Sequence, residues 1–314
     1  MPRIIFMGTP EFAVPVLDAL THTTHKIVGV YTRPDQPAGR GKQLRSSPIK
    51  RLAEARGLPI FQPPTLRKSE FIAPLRDLAP DVIIVAAYGL ILPPAVLAIP
   101  PRGCVNTHAS LLPRHRGAAP IAAAILAGDT ETGITLMRMD AGLDSGPILV
   151  QRALAIADDD TTGTLTPKLA DLAAALLIET LPRLLAGDIT PQPQDESRAT
   201  YQKTIRKEEG LIEWARAAAE IERRVRAFNP WPSAYTFWNS AQLKILRAKA
   251  APSAARGEPG RVIEWRDEIV VTTGDGVLIL REVQTAGKRA MKIEEFARGQ
   301  RGFVGSSLGI ERAT

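Results

Sequence analysis

The run at residues 81–87 (DVIIVAA), which is apolar after Asp81, restricts the fold of this chain more than any other feature. Because successive side chains of a strand point to opposite faces, a run that is apolar throughout needs cover on both faces of its sheet. Such strands belong to parallel sheets, whose strands are joined by crossover helices packed on each face. The run therefore predicts a central strand of an α/β fold.

Strand and helix patterns alternate on either side of this run. The spacing predicts strands at 3–7, 26–32, 58–61 and 103–106 and helices at about 12–20 and 47–56. This order is typical of a Rossmann-like, mostly parallel sheet, in which ligands bind at the carboxyl ends of the strands. The turn after the first strand (GTPEFA, residues 8–13) lacks the second and third glycines of a dinucleotide-binding loop. The pattern therefore predicts no dinucleotide cofactor.

The second half of the chain has a different pattern. A helix is predicted at 161–186 with Gly187 as its stop, and a polar stretch with two prolines follows. A short basic helix at 217–227 and five short strands between residues 233 and 283 are typical of a small OB-fold-like β-barrel. We therefore predict a Rossmann-like domain at 1–189, a linker at 190–205 and an OB-fold-like domain at 206–314.

The charge of the chain is unevenly distributed. Its 314 residues include 40 Lys and Arg against 33 Asp and Glu, which gives a net charge of +7. Residues 206–314 carry +5 of this charge, and the stretch 33–51 has an excess of five basic side chains. Two basic regions are what a polyanion such as a nucleic acid requires, because phosphate contacts supply most sequence-independent affinity. A solvated basic surface explains the charge alone equally well.

The composition excludes several classes of protein. No stretch approaches the roughly 18 uninterrupted apolar residues of a membrane span, and no charged-then-apolar leader precedes the first strand. Cys104 is the single cysteine, which rules out an intramolecular disulfide and a cysteine-based zinc cage. We expect a soluble cytoplasmic protein with no membrane partner.

An unusual cluster of polar residues follows the predicted strand at 103–106. Asn106 and His108 are two residues apart, so in an extended chain their side chains point to the same side. Asp140 and Asp144 lie further on, in a glycine-bearing loop between two strand-like runs. Asn, His and Asp that meet at one point provide an oxyanion donor, a proton shuttle and a carboxylate that orients the imidazole. Each of these residues also has an ordinary structural interpretation.

The cluster contains no convincing nucleophile. Cys104 lies within an apolar run typical of a core strand, and Ser110 lacks the GxSxG turn that exposes a catalytic serine. No set of His, Asp and Glu has the spacing of a metal site, so we expect no metal.

Several motifs resemble a known family. The segments 105–113 (VNTHASLLP), 116–120 (RGAAP) and 142–146 (GLDSG) resemble the signature of the 10-formyltetrahydrofolate-dependent formyltransferases. Other stretches resemble one branch of that family, the methionyl-tRNA formyltransferases. They are 6–10, 33–42 (RPDQPAGRGK), 87–93 (AYGLILP) and 227–232 (AFNPWP). The resemblance covers essentially the whole chain, and one departure is Ala109, where the family often has glycine.

The resemblance implies a reaction and a set of site residues. The reaction is transfer of a formyl group from 10-formyltetrahydrofolate to the amino group of initiator methionyl-tRNA, which gives N-formylmethionyl-tRNA for translation initiation. Asn106, His108 and Asp144 are implied to be catalytic. The residues implied to bind the folate are Ser110, Leu111, Leu112, Pro113, Tyr88, Gly89, Leu90, Ile91, Leu92 and Asp140. Arg40, Lys42 and Arg45 are implied to reach the tRNA acceptor stem, and the C-terminal domain to bind tRNA. We expect a monomer.

Two other interpretations remain open. A formyltransferase that acts on a nucleotide-sugar amine would use the same Asn/His/Asp chemistry and would explain residues 85–150 equally well, but not the basic stretch. A non-catalytic RNA-binding module would explain the charge, but not the presence of Asn106, His108 and Asp144 together.

Overall fold

The computed structural model describes residues 1–38, 43–253 and 257–309, which form two compact units. The first unit consists of Met1–Pro120, Glu131–Ala155 and Thr166–Gln202. The second consists of Ile121–Thr130, Ile156–Leu165 and the described residues from Lys203 onward. The units differ from the predicted limits of 1–189 and 206–314, because two internal stretches belong to the second unit and residues 190–202 belong to the first.

The elements up to residue 202 alternate between strands and helices. The strands are β1 (Arg3–Gly8), β2 (Lys26–Tyr31), β3 (Gln36–Ala38), β4 (Gln43–Arg45), β5 (Ile60–Phe61), β6 (Val82–Ala86), β7 (Cys104–His108), β8 (Arg116–Gly117), β9 (Glu131–Arg138), β10 (Ile148–Ala155) and β11 (Tyr201–Gln202). The helices are α1 (Val14–Thr21), α2 (Pro48–Ala55), α3 (Ser69–Asp77), α4 (Pro94–Leu97), α5 (Pro120–Ala127) and α6 (Thr162–Ala186). The predicted helix at 161–186 is confirmed, and Gly187 follows it with a φ of 86°, a left-handed conformation that suits glycine at a helix end.

Seven strands of the first unit form one sheet in the order β10-β9-β7-β6-β1-β2-β5. The five strands from β7 to β5 are parallel, whereas β9 pairs antiparallel with both β7 and β10. All five residues of β6 are buried, as the apolar run at 81–87 predicts for a strand covered on both faces. The prediction of an α/β unit with a mostly parallel sheet is confirmed.

The order of the strands along the sheet reverses between β1 and β6. From β1 the chain continues to β2 and β5 on one side and then returns to β6 and β7 on the other. Ligands in open α/β sheets bind outside the carboxyl ends of the strands at such a switch. Thr9, Arg33 and Tyr88 follow the ends of β1, β2 and β6. The Thr9 hydroxyl donates to the Tyr88 carbonyl at 2.8 Å and accepts from the Arg33 N–H at 3.4 Å, so hydrogen bonds join these three loops.

The predicted linker is part of the first unit as far as residue 202. Within it, β11 pairs in parallel with β8, and the backbone of Gln192 exchanges two hydrogen bonds with Ile148, each of 2.8 Å. Gly117 makes the strand pairing possible, since a Cβ at this position would fall on the carbonyl oxygen of Gln202. The polar residues of this stretch are typical of a linker in sequence. In the structure, groups of this stretch make hydrogen bonds to parts of the unit that are distant in sequence.

The second unit contains an antiparallel sheet. Its strands are β12 (Ala234–Trp238), β13 (Ala241–Ala251), β14 (Val262–Trp265), β15 (Glu268–Thr272), β16 (Val277–Thr285) and β17 (Met291–Lys292). The helices that follow residue 202 are α7 (Ala218–Ala227) and α8 (Ile293–Gly299). The five predicted strands are present in the order β12-β13-β16-β15-β14, with β17 on β16. Pairings among the described residues do not join β12 to β14, so closure into an OB-fold-like barrel stays a prediction. No helix in the described part of the chain is long and apolar enough to cross a membrane.

Candidate active site

Strand β7 presents the two polar side chains that the sequence singled out. The Nδ2 atom of Asn106 lies 3.5 Å from Asp144 Oδ1, and the Nδ1 atom of His108 lies 3.7 Å from Asp144 Oδ2. The His108 side chain is 6% exposed and that of Asp144 is 16% exposed. The structure therefore brings Asn106, His108 and Asp144 together, with Asp144 facing both partners from the loop between β9 and β10.

The second nitrogen of His108 fixes the orientation of its ring. The Nε2 atom lies 3.0 Å from the carbonyl oxygen of His115. A carbonyl can only accept, so Nε2 carries the proton of this hydrogen bond, and in the neutral ring Nδ1 has a lone pair. The carbonyl of His115 therefore selects the tautomer of His108. Nδ1 is the atom that faces Asp144 and is able to take up a proton.

The loop that carries Asp144 must turn back along β7. In the antiparallel pairing, Val105 lies opposite Arg138 and His108 lies opposite Thr135, so β9 ends near the start of β7. Asp144 has a φ of 50°, a left-handed conformation that is uncommon outside glycine but tolerated by Asp and Asn. Its Oδ2 accepts the backbone N–H of Gly117 at 2.8 Å, which holds the carboxylate at the end of β8.

Arg116 is a buried cation beside this loop. Its side chain is 1% exposed and donates five hydrogen bonds of 2.7–3.1 Å, to the Gln194 side-chain oxygen, the Glu196 carboxylate and the Tyr201 hydroxyl. The hydrogen bond to Glu196 raises the pKa of Arg116, and the same bond lowers the pKa of Glu196. Burial of a guanidinium requires such complete pairing, because each unpaired N–H would be costly.

The segment predicted to contact folate, Ser110–Pro113, uses most of its polar groups internally. The Ser110 hydroxyl donates to the Arg114 carbonyl at 2.7 Å. The Thr135 hydroxyl donates to the Ser110 carbonyl at 2.6 Å and accepts from the Leu112 N–H at 3.1 Å. Gln151 donates to both the Leu112 carbonyl and the Thr135 hydroxyl at 2.8 Å. Leu112 and Pro113 are buried and Leu111 is half-buried, so the segment is held rigidly from β9 and β10.

The segment Tyr88–Leu92, which the family resemblance implies to bind folate, divides into core and surface residues. Tyr88 and Leu92 pack into the core that also contains Met7 and Val85. Gly89 is exposed with a φ of 83°, Leu90 is half-buried and Ile91 is 73% exposed. The Tyr88 hydroxyl is buried without a hydrogen-bond partner among the described residues, and burial raises its pKa. A ligand on this loop would meet Gly89 to Ile91 rather than Tyr88.

Asp140 organises the loop rather than joining the Asn106, His108 and Asp144 group. Its Oδ1 accepts the Gly142 N–H at 2.9 Å and the Ser145 hydroxyl at 2.9 Å. Asp140 itself is exposed. The described contacts therefore assign Asp140 a structural part in the turn before Asp144.

The structure describes one of the three residues that were predicted to bind tRNA. Arg40 and Lys42 lie outside the described residues, and Arg45 is exposed at the end of β4. Two other cations of the basic stretch have partners, since Lys50 pairs with Asp35 at 2.6 Å and Arg51 pairs with Glu11 at 3.2 Å. The charge that this stretch can offer to a polyanion is therefore smaller than its sequence predicts.

A thiolate nucleophile and a bound metal ion would be two alternatives to the group of Asn106, His108 and Asp144. Burial raises the pKa of the Cys104 thiol to about 12, so this side chain is not a thiolate nucleophile at neutral pH. Across residues 1–38, 43–253 and 257–309, no three His, Cys, Asp or Glu side chains form a group that could hold a metal ion.

Comparison with known families decides the class of this protein. A sequence profile described as formyl transferase matches residues 2–181, more than half of the chain, and one described as formyl transferase, C-terminal domain, matches residues 204–301. The chain belongs to the formyl transferase family. The site at the end of β7 is therefore the candidate active site of a formyl-transferring enzyme.

Solved structures of similar fold include sugar N-formyltransferases and a larger protein. WlaRD, a sugar 3N-formyl transferase solved with dTDP and 5-N-formyl-THF, is 18% identical with a TM-score of 0.66 and covers 92% of this chain and 99% of its own. The N-formyltransferase from Helicobacter canadensis, solved with folinic acid and dTDP-3-aminofucose, is 19% identical with a TM-score of 0.67, over 91% of this chain and 100% of its own. HypX from Aquifex aeolicus, solved with tetrahydrofolic acid, is 17% identical with a TM-score of 0.63, over 97% of this chain and 48% of its own. At these identities the likeness is one of fold.

Sequence reasoning gave no role to Thr135, Gln151, Arg116 or Gln194. Thr135 and Gln151 lie in strands β9 and β10. The feature of the sequence that could have indicated them is a polar residue within a largely apolar run. Arg116 was visible in the motif, but its partners lie 78 to 85 residues away. No local pattern reveals a contact over such a distance.

Removal of the Thr135 hydroxyl should loosen the Ser110–Pro113 segment. Thr135 is 0% exposed, so Thr135→Val keeps the shape but leaves the Ser110 carbonyl and the Leu112 N–H without their partner, at about 1–3 kcal/mol for each unsatisfied group. We expect a lower unfolding midpoint and weaker binding of a folate ligand, measured by thermal unfolding and by titration.

Thr132→Val is the matched control for this change. Thr132 lies in the same strand, is 2% exposed, and its hydroxyl has no hydrogen-bond partner among the described residues. Its replacement should be neutral or stabilising. Equal effects of the two variants would show that the Thr135 hydrogen bonds do not hold the segment.

Proposed function

We propose that this formyltransferase transfers the formyl group of 10-formyltetrahydrofolate to the amino group of initiator methionyl-tRNA. The observation that carries the formyl-transfer step is the convergence of Asn106, His108 and Asp144, with Asp144 Oδ2 3.7 Å from His108 Nδ1. The charge distribution and the sequence resemblance support the choice of acceptor. Bound folates in structures of similar fold, including WlaRD with 5-N-formyl-THF, support the choice of donor.

The reaction needs orientation and proton transfer rather than a covalent nucleophile. An α-amino group with a pKa of about 7.7–8.0 is partly uncharged at neutral pH and attacks the formyl carbon itself. The amine nitrogen forms a bond to that carbon, the bond from the carbon to the folate nitrogen breaks, and one proton moves from the amine to the folate nitrogen. The buried Cys104 and the internally bonded Ser110 are not required.

Each residue of the site has a part in this scheme. The Asn106 amide donates a hydrogen bond to the oxygen on which negative charge develops, a contribution of about 3–4 kcal/mol for one donor. His108 takes up the amine proton at Nδ1, because its Nε2 is occupied by the His115 carbonyl. The imidazolium that forms donates from Nδ1 and is stabilised by the Asp144 carboxylate. His108 then returns the proton to the departing nitrogen.

The basic character of the chain supports a tRNA acceptor. Residues 206–314 carry a net +5, and Arg40, Lys42 and Arg45 add charge within the stretch 33–51. A tRNA acceptor stem offers many phosphates to such side chains, whereas a nucleoside diphosphate sugar carries two. The second family profile, over residues 204–301, coincides with the more basic part of the chain.

A nucleotide-linked amino sugar is the second candidate acceptor, and the fold comparisons favour it. WlaRD was solved with dTDP and the Helicobacter canadensis enzyme with dTDP-3-aminofucose, and both cover more than nine tenths of this chain. The Asn/His/Asp chemistry is the same for either amine. The two candidate acceptors differ in one respect: binding of tRNA would use the basic regions of the chain, whereas binding of a nucleotide-linked amino sugar would not require them.

Replacement of the three site residues tests the proposed chemistry. We expect Asn106→Ala, His108→Ala and Asp144→Asn to lower kcat by about 100-fold or more, with smaller changes in KM, because their interactions strengthen in the transition state. The exposed His22 and Asp188 provide the controls His22→Ala and Asp188→Asn, which should retain full turnover. Full turnover in a folded site variant would remove that residue from the catalytic set.

A competition between acceptors tests the proposed substrate. With 10-formyltetrahydrofolate as donor, kcat/KM should be far higher for charged initiator tRNA than for dTDP-3-aminofucose, and it should fall steeply with salt for tRNA because several phosphates are neutralised. Arg40→Ala, Lys42→Ala and Arg45→Ala should lower the tRNA rate and reduce this salt dependence. Faster formylation of the amino sugar, with no effect of these substitutions, would make the sugar the substrate.

A further inference from the structure

The side-chain amide of Gln194 joins two parts of the first unit that are far apart in sequence. Its Nε2 donates to the carbonyl oxygen of Asp144 at 2.8 Å and to that of Gly146 at 2.7 Å. Its Oε1 accepts from Arg116 Nη2 at 2.8 Å and from Arg116 Nε at 3.1 Å. Both amide protons and the oxygen are therefore used, and both protons go to the backbone of the loop that carries Asp144.

Arg116 determines which way this amide points. A guanidinium has five N–H donors and no acceptor, so the side-chain oxygen of Gln194 must face it and the NH₂ group must face the loop carbonyls. The three other donated hydrogen bonds of Arg116 go to Glu196 and to the Tyr201 hydroxyl, at 2.7–2.9 Å. The reversed amide would set two donors against Arg116 and an oxygen against two carbonyls.

Gln194 binds the main-chain carbonyls of Asp144 and Gly146, which lie on either side of Ser145 in the sequence. Both hydrogen bonds therefore hold the backbone at Asp144 itself and just after it. Asp144 has the left-handed φ of 50°, a conformation that the surrounding contacts must maintain. Gly117 holds the carboxylate of Asp144, and Gln194 holds its main chain. A loop between two strands lacks the regular backbone hydrogen bonds of a sheet. The contacts from Gly117 and Gln194 therefore set the position of Asp144.

We propose that Gln194 is a positioning residue for Asp144, with its amide oriented by the buried Arg116. This inference rests on the proposed catalytic role of Asp144. Gln194 touches no reacting atom and acts only by keeping the Asp144 carboxylate beside His108. A displacement of about 1 Å at a catalytic group is enough to lower a rate by about 100-fold, so loss of this support should appear in turnover.

A double-mutant cycle between Gln194 and Asp144 tests this. Gln194→Ala should lower kcat by about tenfold or more and leave the KM for 10-formyltetrahydrofolate within about twofold. In an Asp144→Asn background the same substitution should have little further effect, because a residue that acts through Asp144 has nothing left to position. The cycle uses the full chain and whichever acceptor, charged initiator tRNA or dTDP-3-aminofucose, the wild-type protein formylates.

Two further variants keep the test independent of folding. Gln192→Ala changes an exposed residue of the same type two positions away, whose amide makes one contact of 3.4 Å to the Thr190 carbonyl, and should retain wild-type kcat. Gln194→Glu keeps an acceptor for Arg116 but sets a carboxylate oxygen against the two loop carbonyls, so it should lower kcat at least as much as Gln194→Ala. The kcat of Gln194→Glu is measured at a temperature below the unfolding midpoint of that variant. This variant therefore tests the proposal even if Gln194→Ala does not fold.

The outcomes separate this inference from the proposed function. A folded Gln194 variant with wild-type kcat, an effect on KM alone, or an equal loss in both backgrounds would overturn the positioning role while Asp144 remained catalytic. Wild-type turnover in Asp144→Asn would overturn the proposed chemistry and the positioning role together. Formylation of the amino sugar but not of tRNA would change the acceptor and leave the cycle valid.

Discussion

A buried guanidinium is the physical constraint around which the candidate site is built. Arg116 is 1% exposed, and a charge removed from water is tolerated only if its donors are paired. Its partners come from the stretch 194–201, which ends at Tyr201, the first residue of β11, and β11 pairs with β8. The next residue, Gly117, gives its N–H to Asp144, so the pairing of one cation determines where the carboxylate of the site lies.

In the proposed mechanism, this arrangement prepares three ordinary polar side chains for the reaction. His108 has one nitrogen committed to the His115 carbonyl and the other aimed at Asp144. Asp144 is held through its carboxylate and its main chain, and the adjoining Ser110–Pro113 segment is held by Thr135 and Gln151. Interactions fixed before the substrate arrives need no rearrangement during the reaction, which is the general source of electrostatic catalysis.

The sequence predicts those parts of the molecule that depend on local patterns. The apolar run at 81–87 indicates a doubly covered strand, and the structure has β6 there, buried throughout. The spacing of Asn106 and His108 indicates a shared side, because an extended strand fixes it locally. The stretch 190–205 was interpreted as a linker from its prolines and polar residues, yet Gln194 and Tyr201 make contacts with residues 48 to 85 positions earlier. Composition carries no information about such partners, so their roles could be found only from the structure.

The acceptor is a question of charge rather than of chemistry. In the proposed reaction Asn106, His108 and Asp144 serve either amine, whereas the basic stretch 33–51 and the +5 of residues 206–314 favour a polyanionic acceptor. Family membership establishes formyl transfer, and the folds of sugar N-formyltransferases show that the same architecture accommodates smaller amines. The features that distinguish a tRNA acceptor from a sugar acceptor lie outside the group of Asn106, His108 and Asp144.

The proposed reaction places the formyl group between Asn106, His108 and Asp144. The most direct measurement is a crystal structure of the protein with a hydrolytically stable analogue of 10-formyltetrahydrofolate. We expect the formyl oxygen within hydrogen-bond distance of Asn106 Nδ2, and the formyl carbon about 3–3.5 Å from a space that an amine can enter beside His108 Nδ1. A formyl group bound beyond hydrogen-bond reach of all three side chains would show that they do not form the catalytic site.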